Sequence, residues 1–369
     1  NIENSSLQIS EKQFLTNGSI NDFALNGFGN DLNYTLNDVY VGFEYKFKIG
    51  KWINKPGLYL HSYHLKTKQI ANDYVINKNL FEPQWNSEYE FNSSESLKFD
   101  YKLTNDFPEA AQLLERYTLQ GYNSVFKGNA LLNNELFHSA NLRYSKMSMY
   151  KGIMMFAFAN YTKKTKTTRN AVELDGINQF ATPILTDNPE TTWRINGSFE
   201  KKIYRFKARV NTNLSWFNYF QNLNGIFTSN DRNNQSVGIN IRTASKKLPT
   251  ISVGYNKGFS QFSGLTKSSF ETDAFSFDFD IDFLKSFTFK TDYEITFNNN
   301  SNNQNTKFAT ANASLQYHKK DNPFIFEITA QNYLNNGKII NNSFSDFLIS
   351  NNTTFILPRI FMLTISYKL

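Results

Sequence analysis

Nine charged side chains in the second half of the sequence are spaced to share faces of extended chain. Arg205, Lys207 and Arg209 recur at every second residue with Arg194 on the segment before them. Asp278, Asp280 and Asp282 repeat that spacing ahead of Asp292 and Glu294. Successive side chains of a strand point to opposite faces, so a period of two gathers each set on one face. Crowded carboxylates of this kind could bind Ca²⁺ or a cationic substrate, or pair with nearby lysine and arginine. The basic ladder could attract anionic solutes or complement the acids of another domain. The simpler reading of both ladders is preferred: a water-filled interior needs charge on its wall, and these nine residues are its candidate interior-facing members.

Other chemistry finds little support. His61, His64, His138 and His318 are the only histidines. His61 and His64 have opposite strand parity and cannot both face one ligand, whereas structural zinc asks for four ligands close together. With 0 Cys there are no disulfides, thiolate metal sites or thiol catalysis. No Gly-x-Ser-x-Gly elbow is present. The chain is therefore read as a non-enzyme, with no catalytic, cofactor-binding or metal residues assigned. Its formal charge of +7 comes from basic residues interleaved with acids rather than from a Lys/Arg block, so nucleic acid is not expected as a partner.

The elements that must carry these ladders are long amphipathic strands. Tyr204, Phe206, Ala208, Val210, Thr212, Leu214 and Trp216 alternate with Arg205, Lys207, Arg209, Asn211, Asn213 and Ser215. The pattern recurs over Val39 to Ile49, Phe275 to Phe283, Phe287 to Phe297 and Phe361 to Leu369. Such lengths match the roughly 9–11 residues that a tilted strand needs to cross a bilayer. Composition agrees: aromatics are 16% of residues, with 36 Phe and 20 Tyr, yet mean hydropathy is −0.51. That balance suits an aromatic outer face over a polar inner face. No run approaches 18 apolar residues, so a membrane reading must be a barrel reading.

The expected fold is all-β, a transmembrane antiparallel β-barrel. Strands are placed near 37–49, 57–69, 81–91, 96–105, 135–147, 151–166, 190–202, 204–220, 234–245, 249–262, 270–284, 286–298, 307–318, 323–334, 343–350 and 355–369, about sixteen in all. Residues 1–36 read as a polar external segment and 37–369 as barrel. Short connections such as Asn92 to Glu95, Lys202-Ile203, Lys246-Lys247 and Leu284 to Ser286 alternate with long ones near 106–134, 167–189, 221–233, 263–269 and 299–306, as in outer-membrane barrels. Pro108 to Glu115 is the one expected helix. Trp85, Trp193 and Trp216 are placed at the bilayer rims, with Trp52 in a turn. No signal peptide opens the sequence, so Asn1 is taken as an internal residue of a longer product or as a mature end.

Three stretches resemble a known family. Leu80-Phe81-Glu82-Pro83 with Trp85, Tyr89 and Phe91, then Leu97-Lys98-Phe99-Asp100-Tyr101, is similar to the "LFPSLNLSYKLNENNSLRLSYS" hairpin of TonB-dependent receptors from Bacteroidota. Lys127 to Leu132 with Glu135 resembles that family's "GNPxLxPE", with Ala130 and Asn134 replacing its prolines. Leu357-Pro358-Arg359-Ile360-Phe361 through Tyr367-Lys368-Leu369 resembles its "LPRxFxLSLSYKF" terminus, with Leu369 for the usual Phe.

The resemblance covers roughly residues 80 to 369. It implies the C-terminal portion of a 22-stranded barrel in the outer membrane of a Gram-negative bacterium. It further implies energy-coupled uptake of a nutrient. The implied partners are outer-membrane lipid, a plug domain carried upstream or on a separate chain, TonB, and a surface lipoprotein of the kind that accompanies SusC-like members. No plug is recognisable in this sequence. The alternative expectation is a passive porin-like channel or a structural barrel subunit of an envelope assembly. A soluble β-sandwich adhesin is a third reading, for which the alternation supplies no covering layer.

Overall fold

The computed structural model describes residues 1–70, 72–245, 248–300, 305–320, 322–344 and 349–368. Lys246, Lys247, residues 301–304, Leu369 and part of the expected strand 343–350 lie outside the described residues. Strands hold 77% of the chain and helical turns 2%. Nearly all the strands belong to one sheet of 20 strands.

Sixteen of the strands follow one another across this sheet. They are β1 (Ile2–Ile9), β2 (Asn30–Glu44), β3 (Trp52–Lys68), β4 (Asp73–Asn92), β5 (Glu95–Asp106), β6 (Glu135–Ser148), β7 (Ile153–Asp175) and β8 (Glu190–Ile203). Then come β9 (Phe206–Leu223), β10 (Ile226–Thr243), β11 (Thr250–Ser263), β12 (Lys267–Phe283), β13 (Phe287–Asn300), β14 (Asn305–His318), β15 (Phe324–Gln331) and β16 (Ile360–Tyr367). Each pairs antiparallel with the next. No register joins β16 back to β1 among the described residues, so the sheet is open and the barrel is not closed.

The main sheet holds 20 strands where about sixteen are expected in the whole chain, and their membership differs as well. β1 and the start of β2 lie within residues 1–36, where the sequence predicts a polar external segment. A separate hairpin, Lys338–Phe344 with Ile349–Phe355, stands outside the sheet where one wall strand was expected. The connections opposite the short turns are also tighter than expected. β7 continues to Asp175, turns at Gly176 (φ 60°) and pairs with Asn178–Thr186. β9 and β10 meet in a two-residue turn in which Asn224 (φ 50°) and Gly225 (φ 79°) both take left-handed geometry, the arrangement that Asn-Gly favours in hairpins.

Burial across the sheet is inverted relative to a water-soluble protein. On β10, Val237, Ile239 and Ile241 are 42%, 47% and 48% exposed, while the alternating Ser236, Gly238 and Asn240 are half-buried. Trp85, Trp193, Phe199, Val253 and Phe275 are exposed in the same way. No second layer covers this apolar face among the described residues. No helix is long and apolar enough to cross a membrane, which says nothing of strands.

Among the described residues one hydrophobic core forms, at the end of the sheet away from the short turns. Residues 107–134, between β5 and β6, fold back so that Phe107, Leu113, Leu114 and Leu132 bury against Leu32, Tyr34, Tyr63 and Leu65 of β2 and β3. The expected helix at Pro108 to Glu115 is reduced to a single 3₁₀ turn, Ala110–Leu113. Leu114 leaves it in extended geometry, φ −60° and ψ 132°, so that two consecutive leucines can both be buried. Side-chain amides clamp this cap from several strands. Gln69 donates to the Leu113 carbonyl at 2.8 Å and accepts from the Glu115 N–H at 3.1 Å. Asn30 accepts from the Arg116 N–H at 3.0 Å and donates to the Tyr117 carbonyl at 3.2 Å.

Candidate functional site

Directly opposed residues in an antiparallel ladder point to the same side. The registers therefore assemble the polar face row by row. Starting near the short turns, Lys202, Lys207 and Arg242 of β8 to β10 align with Ser252, Asp278, Asp292 and Asn312 of β11 to β14. The next row reads Glu200, Arg209, Asn240, Gly254, Ser276, Glu294 and Thr310.

Eight of the nine charges singled out in the sequence lie on this face. Lys207 and Arg209 both reach Glu200, at 3.2 and 2.6 Å. They are a paired network rather than a free anion site. Arg194 sits over the Phe217 ring at 5.3 Å. Asp278 is opposed by Asp292, while Asp280 is opposed by Lys290. Asp282 accepts from the Thr288 hydroxyl and Asp292 from the Asn312 amide.

Arg205 is the exception and corrects the sequence reading. β8 ends at Ile203 and β9 begins at Phe206, so Tyr204 (φ 53°) and Arg205 form the turn between them. The Arg205 guanidinium lies over the Tyr204 ring at 5.0 Å, off the wall. Alternation could not distinguish a turn whose two residues happen to keep the apolar-polar order.

Above the charged rows the face changes character. Ser198, Asn211, Gly238, Asn256, Ala274, Thr296 and Phe308 form one row across β8 to β14. Asn196, Asn213, Ser236, Gly258, Thr272, Asn298 and Thr306 form the next. Neither row contains a charge. Hollows of about 390, 640 and 680 Å³ line this band. The one of about 640 Å³ is bounded by Arg143, Phe156, Phe158, Asn196, Ser198, Asn211 and Asn213. Phe156 and Phe158 of β7 oppose Ser198 and Asn196, and so stand on the polar face.

Sequence reasoning missed this band. Met155, Phe156, Ala157, Phe158 and Ala159 are apolar at both parities, so hydropathy alone assigns them no face. Only the register against Ser198 and Asn196 does so.

On β2 and β3, Tyr40, Tyr59, His61 and Tyr63 form a second polar-face cluster. His61 is stacked between Tyr40 and Tyr63, at 4.9 and 5.4 Å. Its Nδ1 is 2.8 Å from Asp38 Oδ1, and Glu82 accepts from the Tyr63 hydroxyl at 3.1 Å. Tyr59 lies across Gly42, where any Cβ would overlap its ring. His64 instead contacts Asn77, on the opposite parity from His61. These groups satisfy one another. No cluster of three or more His, Asp or Glu with metal-holding geometry occurs among the described residues.

Asp106 stands on the polar face at the cap end of β5, opposite Glu135. Burial raises its carboxyl above the usual range, and neighbouring Glu135 adds to the rise against the opposing pull of Lys164. Trp193 and Trp216 oppose each other on the apolar face, where Trp85 also lies.

No protein-family model matches the chain, and no curated protein matches it either.

Proposed function

We propose that this chain forms part of the wall of an outer-membrane transport barrel, with its apolar face toward lipid and its polar face toward an aqueous interior. The observation that carries this reading is the inverted burial: Val237, Ile239 and Ile241 are more exposed than the polar residues between them. In water such a face would leave apolar surface uncovered on strand after strand, at roughly 25 cal/mol per Å². In lipid it costs nothing. The open edges at β1, the lower part of β2 and β16 would pair with further strands of the same wall, since an unpaired backbone edge is not tolerated in hydrocarbon.

Energy-coupled uptake in the manner of TonB-dependent receptors is supported by the three resembling stretches, and a plug, TonB and a surface lipoprotein are the partners that reading requires. A passive channel or a structural barrel subunit is the second reading, which the inverted burial supports equally because it asks for no plug. The test is reconstitution of the native protein, extracted from outer membranes in detergent, into planar bilayers. A channel that stays shut until the plug is displaced supports coupled transport. A constitutively open pore supports the passive reading. Recovery in the aqueous phase without detergent refutes both.

A further inference from the structure

Four of the short turns repeat one pair of residues, a large apolar side chain followed by a cation. They are Tyr45-Lys46 between β2 and β3, Tyr150-Lys151 between β6 and β7, Tyr204-Arg205 between β8 and β9, and Leu284-Lys285 between β12 and β13. The antiparallel registers place all four at one end of the sheet. Their apolar members are 58%, 99%, 78% and 77% exposed. Among the described residues none of the four cations makes an ion pair. Glu44 and Glu95, which flank two of the short turns, are paired instead with Lys55 at 2.6 Å and Lys146 at 2.9 Å. Asp321, an acid that the sequence places in a short turn, lies outside the described residues. The tight turns at the opposite end differ. Gly176-Ile177, Asn224-Gly225 and Gly264 to Thr266 hold no cation, and Asp175 flanks the first. Solvation alone would send lysine to both ends.

We infer that the short-turn end of this wall docks against anionic phospholipid headgroups, with the cations on phosphate and the three tyrosines and Leu284 at the boundary between headgroups and acyl chains. The inference rests on the barrel-wall reading above and adds which lipid that end of the wall selects. Tyrosine suits the boundary because its ring is apolar and its hydroxyl is wet. Lysine and arginine reach past it to phosphate on apolar stems. Each cation near an anionic leaflet strengthens binding roughly fivefold. A soluble anionic polymer would satisfy the cations and leave the four apolar side chains in water. A zwitterionic headgroup sets a repelling ammonium beside its phosphate, so the cations gain less from it.

The test is native mass spectrometry of the native protein in detergent, titrated with dioleoylphosphatidylglycerol and separately with dioleoylphosphatidylethanolamine, which carries the same acyl chains. Phosphatidylglycerol should bind about tenfold tighter or more, and high salt should erase the preference. Lys151→Gln with Lys285→Gln should weaken phosphatidylglycerol about fivefold or more and leave phosphatidylethanolamine unchanged. Tyr150→Ser removes no charge and should weaken phosphatidylglycerol as well. Equal binding of the two lipids by the unsubstituted protein overturns the inference without recourse to a variant. Displacement of the lipid by an equal concentration of soluble glycerophosphoglycerol would mean that the cations take a free anion, and full binding in Tyr150→Ser would point to a soluble anionic polymer; either result overturns it. A protein that inserts and conducts in bilayers yet shows no preference for phosphatidylglycerol refutes the inference and leaves the wall reading standing. Recovery in the aqueous phase without detergent overturns both.

Discussion

Ile239→Arg separates a lipid-facing wall from a water-facing one by the size of its effect. On the apolar face of β10, Ile241, Ile239 and Val237 are the consecutive apolar residues, bounded by Thr243 toward the short turn and Gln235 toward the cap end. Eight residues at about 3.3 Å each, on a strand tilted by about 40°, give an apolar band about 20 Å tall. Ile239 lies four residues from either boundary and so at the middle of that band. An arginine at the bilayer midplane costs about 2–4 kcal/mol, which is about 30- to 700-fold in the folding equilibrium at 1.4 kcal/mol per factor of ten. In water the same exposed site would tolerate arginine to within about 0.5 kcal/mol. Ser236→Arg on the polar face, in the row beside Gly258, is the control and should also stay within about 0.5 kcal/mol. The assay is reversible denaturant unfolding in lipid vesicles followed by tryptophan fluorescence. Equal midpoints for Ile239→Arg and the unsubstituted protein would refute the assignment of this face to lipid.

Three further outcomes are expected. Phe279→Arg should impair assembly while Asp280→Asn is mild, because the two residues face opposite sides of β12; equal yields of heat-modifiable protein would overturn that parity. Leu114→Ala should loosen the cap by about 2–5 kcal/mol, read as faster hydrogen exchange and proteolysis within residues 107–134 while the wall keeps its unfolding midpoint; unchanged protection would mean that the buried leucines do not hold the cap. Asp106→Asn should stabilise the cap at neutral pH. The raised carboxyl means that the folded state binds the proton more tightly than the unfolded one, so stability falls as pH rises from about 4 through the raised value. The variant should lose that dependence and match the unsubstituted protein at pH 3; an identical pH profile in both would count against burial as the cause.

The fold was legible where one face is uniformly apolar and the other uniformly polar. Val237 to Ile241 and Phe275 to Phe283 disclose their parity without a partner strand, and parity is all that distinguishes the two sides of such a sheet. The tight far turns carry a local signal too: Asn224-Gly225 between Leu223 and Ile226 is a strong hairpin signal, although the polar residues around it read as a loop. The fate of Pro108 to Glu115 could not be read locally. Its helix shortens because Leu113 and Leu114 are drawn into a core with Leu32 and Leu65, residues about 50 to 80 positions away. The candidate site was least legible, because Phe156 meets Asn196 and Asn211 only through two successive registers that hydropathy leaves undetermined.

Those registers also order the polar face along the strand direction, and the order constrains any transport reading. Nearest the short turns, Lys202, Lys207 and Arg242 lie on one side of Ser252 and Asp278 and Asp292 on the other. Above them lies the uncharged amide band, and at the far end of β2 and β3 lies the apolar cap. A solute entering from the cap end meets the neutral band before the divided charges. On that reading, hydrogen bonding in the uncharged rows acts on it before charge does. Of the charged ladders, which stand out most in the sequence, Lys207 and Arg209 are paired through Glu200, and Asp280 is opposed in register by Lys290.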